Sequence, residues 1–284
     1  MILGYNNECY KSLKFMNKKL ILSTTLALFL GGFVTFASAS HSWGKYHWDI
    51  STAESELSPL VFGSNLTTTT PEWGSSLAGA SADWNLSVLK NQVVVGTNTA
   101  CDPVLGQVEI CNNSYGDNGW LGIAQIWVYR GKDGHIAQGL VKVNDTYFDT
   151  ADYNTSAWRN LVVCQEVGHT IGLDHQDENF DNENLGTCMD YTSNPESNQH
   201  PNQHDYDELE TKYAHLNSGE SDKPGNGNGG GNGKKPADVG ASINLNSPSS
   251  WGQVIKKDAQ GNPSLYVRNI NSQYQLFTFV TWVK

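Results

Sequence analysis

Cys164-Gln165-Glu166-Val167-Gly168-His169-Thr170-Ile171-Gly172-Leu173-Asp174-His175 decides how this chain is read. Upstream of it, Trp158, Leu161, Val162, Gln165 and His169 recur at i, i+3 and i+4 spacings. That pattern predicts a helix capped by Ser156 and running to about Gly172. On such a helix positions 165 and 169 share a face one turn apart, so both side chains can reach one ion. Gly172 lets the chain leave through a left-handed conformation, and the turn beyond it can swing His175 back as a further ligand. Glu166 stands beside the first ligand position, where a carboxylate can take a proton from metal-bound water without ligating. That role requires Glu166 to line a cleft that solvent reaches.

Two downstream elements belong to the same reading. Thr187-Cys188-Met189-Asp190-Tyr191 places a methionine fourteen residues after His175, and Asp205-Tyr206-Asp207-Glu208-Leu209-Glu210-Thr211-Lys212-Tyr213 predicts a last helix over about 205–216. Alone, His175 would be a surface histidine and Met189 core filler. With Glu166, His169 and Gly172 at these separations, coincidence is improbable. Together the elements resemble the metzincin metallopeptidases, most closely their matrixin-like bacterial branch, whose zinc motif is H-E-x-x-H-x-x-G-x-x-H. The resemblance covers about residues 41–217, with its specific motifs within 160–213.

The resemblance implies an α+β fold: a metzincin-like twisted mixed sheet with an active-site helix, a C-terminal helix and a small β-rich tail. It implies Zn2+ held by His169 and His175, with Gln165 provisionally third, and Glu166 as the catalytic general base. Met189 would form the floor, and Tyr191 would donate a hydrogen bond to the tetrahedral intermediate. Trp120-Leu-Gly-Ile-Ala-Gln-Ile126 resembles the strand at the sheet edge above the zinc, with Gly122, Ile123 and Ala124 pairing an extended peptide. An ordinary internal strand is the equal alternative.

Gln165 departs from the motif, which has histidine there. Its amide oxygen reaches about as far as an imidazole Nε2 and is equally neutral, but Zn2+ favours imidazole, thiolate or carboxylate donors. Three readings stand: Gln165 ligates weakly; Cys164, His200 or His204 completes the site; or the metal site is lost and the domain only binds. Asp174, Asp177, Glu178, Asp181 and Glu183 lack a Ca2+-loop spacing and read as a solvated acidic loop, leaving Ca2+ a weakly supported second ion. His41 and His47 have no partner assignable from sequence.

Around this centre, 284 residues carry 18 Lys and Arg against 29 Asp and Glu, a net charge of −11. Such a surface repels nucleic acid and anionic membrane; the resemblance implies a protein or peptide substrate as partner, and a monomer is expected. Lys18-Lys19, the apolar run Leu20 to Phe36 and Ala37-Ser38-Ala39 read as a signal peptide over 1–39, hence a secreted or periplasmic protein. No prodomain with a zinc-blocking cysteine is visible, so no long propeptide is expected to need removal. Export favours disulfides. Of the three connectivities open to Cys101, Cys111, Cys164 and Cys188, neighbour pairing, 101 with 111 and 164 with 188, is expected, with Cys164 as free thiol or ligand the alternative.

Residues 92–96, 107–111, 122–129 and 139–143 read as strands, Trp43–Trp48 as a first strand, and about 74–89 as a helix. A Gly/Asn-rich linker, 218–238, separates the main domain from a tail, 239–284. There Tyr274, Leu276, Thr278, Val280 and Trp282 alternate with Gln275, Phe277, Phe279, Thr281 and Val283, so the tail is expected to pack on the main domain or form a small β module. Two functions follow: a secreted zinc-dependent endopeptidase, or an impaired pseudopeptidase acting as a protein- or glycan-binding module.

Overall fold

The β-branched and aromatic runs of the sequence form one sheet, and their alternation decides which residues it buries on each face. The computed structural model describes residues 40–49, 59–67, 71–96, 98–131, 134–214 and 244–284. The expected signal peptide and linker lie outside the described residues, as does the start of the tail. Nine strands form a mixed sheet: β1 (His47–Trp48), β2 (Leu60–Asn65), β3 (Asn91–Val95), β4 (Gln107–Asn113), β5 (Trp120–Tyr129), β6 (His135–Asn144), β7 (Gln253–Lys257), β8 (Pro263–Asn269) and β9 (Tyr274–Trp282). Their order is β3-β2-β4-β6-β5-β9-β8-β7, with β1 beside the start of β6. The first four strands of that order run parallel, and from β6 onward every neighbour is antiparallel.

The helices are α1 (Pro71–Trp84), the single turn α2 (Asp145–Phe148), α3 (Ser156–Thr170) and α4 (Gln203–Lys212). The general α+β class is as expected. α3 starts one residue earlier in its cap than the sequence suggested: Thr155, not Ser156, accepts from the Trp158 amide at 3.2 Å. α1 begins at Pro71 and stops at Trp84, short of the predicted 89. α4 opens with a capping box of Asn202 and Asp205. The predicted first strand shrinks to His47–Trp48, and β2 was not foreseen.

The tail joins the sheet of the main domain. β9 pairs with β5 along its whole length, with Gly122 opposite Thr281, Ile123 opposite Val280 and Ala124 opposite Phe279. Phe277 and Phe279 enter the core that includes Leu161 and Val162 of α3. On the opposite face Val280 packs with Trp120, Ile123, Trp251 and Tyr266. Both disulfides form as expected, Cys101–Cys111 and Cys164–Cys188. Among the described residues, no helix is long and apolar enough to cross a membrane.

Candidate metal centre

α3 is buried along nearly its whole length and ends in a sharp turn. Ile171 and Gly172 donate their amides back to the carbonyls of Gly168 and His169. Gly172 sits at φ 104°, and a Cβ there would lie 2.7 Å from the Tyr46 carbonyl oxygen, so this turn needs glycine. The chain doubles back and sets His175 against His169 with the two Nε2 atoms 3.0 Å apart and the rings perpendicular, at 86°.

The far nitrogens of both rings are committed. His169 Nδ1 lies 2.8 Å from the Leu173 carbonyl oxygen, which can only accept, so Nδ1 carries the hydrogen and Nε2 presents a lone pair. His175 Nδ1 lies 2.8 Å from Glu178 Oε1. Burial alone would raise the Glu178 carboxyl, but hydrogen bonding and charge from His175 and Lys256 hold it below its ordinary value, so it accepts as a carboxylate. Lys256 Nζ in turn lies 2.7 Å from Asp174 and 3.3 Å from Glu178. Two bare lone pairs facing at this distance repel unless a cation joins them. Burial, then the neighbouring His175, hold His169 well below its ordinary value, which opposes an extra proton there. Two nitrogens on one tetrahedral ion, each at 2.0–2.1 Å, stand about 3.3 Å apart, so the pair is spaced to hold a divalent metal.

Other groupings behave differently. Asp174, His175 and Glu178 offer ligand atoms within 4.8 Å of one another, but the Lys256 ammonium already joins both carboxylates. That trio orients the ring of His175 from behind. His41, His204 and Glu208 form a second such group at the start of α4, where His41 Nε2 is 3.0 Å from Asp205 Oδ1 and its ring packs on His204. His200 pairs with Asp83 at 2.7 Å, and Cys164 is bridged to Cys188. The three side chains considered as substitute ligands are therefore engaged elsewhere.

The carboxylate flank is covered. Glu166 and Gln165 are both fully buried, and both contact one hydroxyl of β9: Thr281 Oγ1 is 2.6 Å from Gln165 Oε1 and 2.7 Å from Glu166 Oε1. One hydroxyl hydrogen serves only one of these oxygens. The trio is satisfied when Glu166 is protonated and donates to Thr281, which donates to Gln165. Burial pushes the Glu166 carboxyl up to about 8, which keeps that proton in place at neutral pH. Phe279 stacks on the His169 ring, centroids 4.1 Å apart and planes at 10°. The Tyr191 hydroxyl, kept protonated by burial and by the charge of Glu178, donates to the Val280 carbonyl at 3.0 Å. Beside Gln165 a cavity of about 10 Å3 is left, room for one water.

His169, His175, Glu166, Gln165, Met189 and Tyr191 are thus brought to one end of α3. Met189 is buried beneath the helix, where a Cβ on Gly168 would come within 2.5 Å of its sulfur. The Cys164–Cys188 bridge fastens that turn to the helix. One expectation is corrected: Glu166 faces Thr281 instead of a cleft open to solvent. The strand containing Gly122, Ile123 and Ala124 takes the internal alternative, because β9 pairs along it. Thr281, Phe279 and Lys256 were missed: the alternation of β9 was readable, but its partner strand was not. No protein-family model matches the chain, and no curated protein matches it.

Proposed function

We propose that the chain is a secreted zinc-dependent endopeptidase of the metzincin type, with His169 and His175 as ligands, Gln165 as a weak third donor and Glu166 as general base. The observation that carries the reading is the pair of Nε2 atoms, 3.0 Å apart, on two buried rings whose Nδ1 atoms are each committed to a fixed acceptor. When bound, Zn2+ polarises a scissile carbonyl and acidifies water. Glu166, one turn before His169, ionises once β9 leaves and its burial is relieved, and the carboxylate then takes the proton of the attacking water and delivers it to the leaving amine. Its Oε2 has no hydrogen-bond partner in the closed arrangement and is the free position for that proton. The Tyr191 hydroxyl, which holds a main-chain carbonyl in this structure, donates to the oxygen that gains charge. Met189 and the disulfide keep the ligand helix in register with the loop beneath it.

Gln165 engages Thr281, so its ligand role depends on β9 moving. Gln165→His is expected to raise zinc affinity by about an order of magnitude; unchanged zinc content by elemental analysis would show that position 165 does not face the ion. Glu166→Gln is expected to retain zinc and to lose peptide hydrolysis, and an equally active variant would remove Glu166 from the mechanism.

A second reading, a non-catalytic binding module, is favoured by one specific observation: Glu166 has no exposed surface. Stoichiometric zinc together with chelator-sensitive hydrolysis of a generic protein, once β9 is displaced, separates the two. Zinc without hydrolysis leaves the binder.

A further inference from the structure

The β5 edge carries an extended peptide already, supplied by the chain itself. β9 lies antiparallel along it, and three consecutive residues each meet a different component of the site. Phe279 covers the His169 ring, the Val280 carbonyl receives the Tyr191 hydroxyl, and the Thr281 hydroxyl sits on Glu166 and Gln165. The Val280–Thr281 peptide bond therefore lies between the hydroxyl donor and the carboxylate, where a peptide to be cut would lie.

The seam also has features of a cover that is not permanent core. Gln165 Nε2, Glu166 Oε2 and Gln125 Oε1 are buried without hydrogen-bond partners, and all three belong to side chains that meet β9 through Thr281 or Thr278. A buried polar atom left without a partner marks a group whose full complement of hydrogen bonds lies in another arrangement. Beyond the seam the tail packs Phe277 and Phe279 into the main core and Trp251 and Tyr266 against Trp120 and Ile123, and at the rim it makes ion pairs, Lys256 with Asp174 and Glu178 and Lys284 with Asp181. The sequence joining the tail to the main domain, which lies outside the described residues, is rich in Gly and Asn.

We propose that the C-terminal segment is a tethered, substrate-mimicking inhibitor: β9 fills the peptide-binding edge of β5, and the chain stays latent until that strand leaves. The edge then accepts another extended polypeptide by the same main-chain pairing. Latency thus resides at the carboxyl end of the chain. The consequence for catalysis rests on the peptidase reading above, but the occupancy of the edge does not.

The test uses the full chain with a recognition sequence for a sequence-specific protease introduced between residues 225 and 233, read before and after the cut. Loaded with Co2+, the uncut protein is expected to bind acetohydroxamate, followed through the cobalt absorption bands, at least ten-fold more weakly than the cut protein freed of its tail. A labelled synthetic 244–284 peptide is expected to rebind the cut protein with or without metal, measured by fluorescence anisotropy, and to close the site again. Three results overturn the proposal: a tail that stays bound after cutting at nanomolar protein, a tail that leaves without changing acetohydroxamate affinity, or an uncut chain that already binds it as tightly. Opening of the site without hydrolysis of a generic protein leaves the latent strand standing and sinks the peptidase reading instead.

Discussion

On the imidazole flank of the site, His169 and His175 come from one short stretch of chain and each has its outer nitrogen fixed, by Leu173 and by Glu178. On the carboxylate flank, Gln165 and Glu166 rely on Thr281, 116 and 115 positions further along, and each keeps a buried atom without a partner. The first flank is organised mainly by local geometry, with Phe279 and Lys256 of the tail packed against it from outside. The second is completed only by a strand that arrives from the far end of the chain. Metal binding and access to the site are therefore separable properties, and substitutions can break one without the other.

The largest effect is expected on the imidazole flank. His169→Ala removes one of two convergent nitrogens and is expected to weaken zinc at least a hundred-fold, leaving substoichiometric metal after dialysis. A variant that keeps one equivalent of zinc would place the ion elsewhere, with the His41–His204–Glu208 group as the alternative.

On the carboxylate flank the next effect is one of pH. The folded Glu166 carboxyl titrates near 8, above its ordinary value of 4.5, so the native state holds a proton that the unfolded chain has released. Glu166 therefore contributes stability to the metal-free protein that is lost as pH rises from about 4.5 to about 8, opposed below about 6.5 by His169, whose depressed value works the other way. Urea melts should show stability falling with pH between about 6.5 and 8 in wild type, and the difference between wild type and Glu166→Gln should change by close to one proton across the whole range. An equal slope in both would mean that Glu166 is not protonated against β9.

Much of the imidazole flank was readable beforehand because its determinants are local. Helical spacing placed Gln165 and His169 on one face, and Gly172 marked the turn that returns His175. The carboxylate flank was not readable, because strand alternation shows which faces of β9 are apolar but not which strand it pairs with. Gln125 and Thr278 meet across 153 positions, a separation no local pattern encodes. Similarly β2, Leu-Val-Phe-Gly-Ser-Asn, is short and interrupted by Gly63, which hides its β character. The cap at Thr155 was missed by one residue because Ser156 carries the same kind of hydroxyl.

Smaller effects sharpen the contrast. Thr281→Val keeps the volume of the side chain and removes the hydroxyl that both Gln165 and Glu166 contact, so it is expected to cost about 1–3 kcal/mol in denaturant unfolding while leaving zinc affinity within a few-fold. A large loss of zinc would show that the two flanks are coupled after all. Lys256→Ala removes the rim ion pairs with Asp174 and Glu178; with the lysine about a third exposed, the loss should stay near 1 kcal/mol or below. A larger loss would make the rim, instead of the strand pairing, the main hold on the tail.

The direct measurement is X-ray absorption at the zinc edge of the metal-loaded chain, with His169→Ala alongside. The expected spectrum has two imidazole nitrogens at about 2.0 Å with oxygen donors completing the shell, and the variant loses the outer-shell imidazole scattering. A spectrum without imidazole, or one unchanged by the substitution, would contradict a metal ion held between His169 and His175.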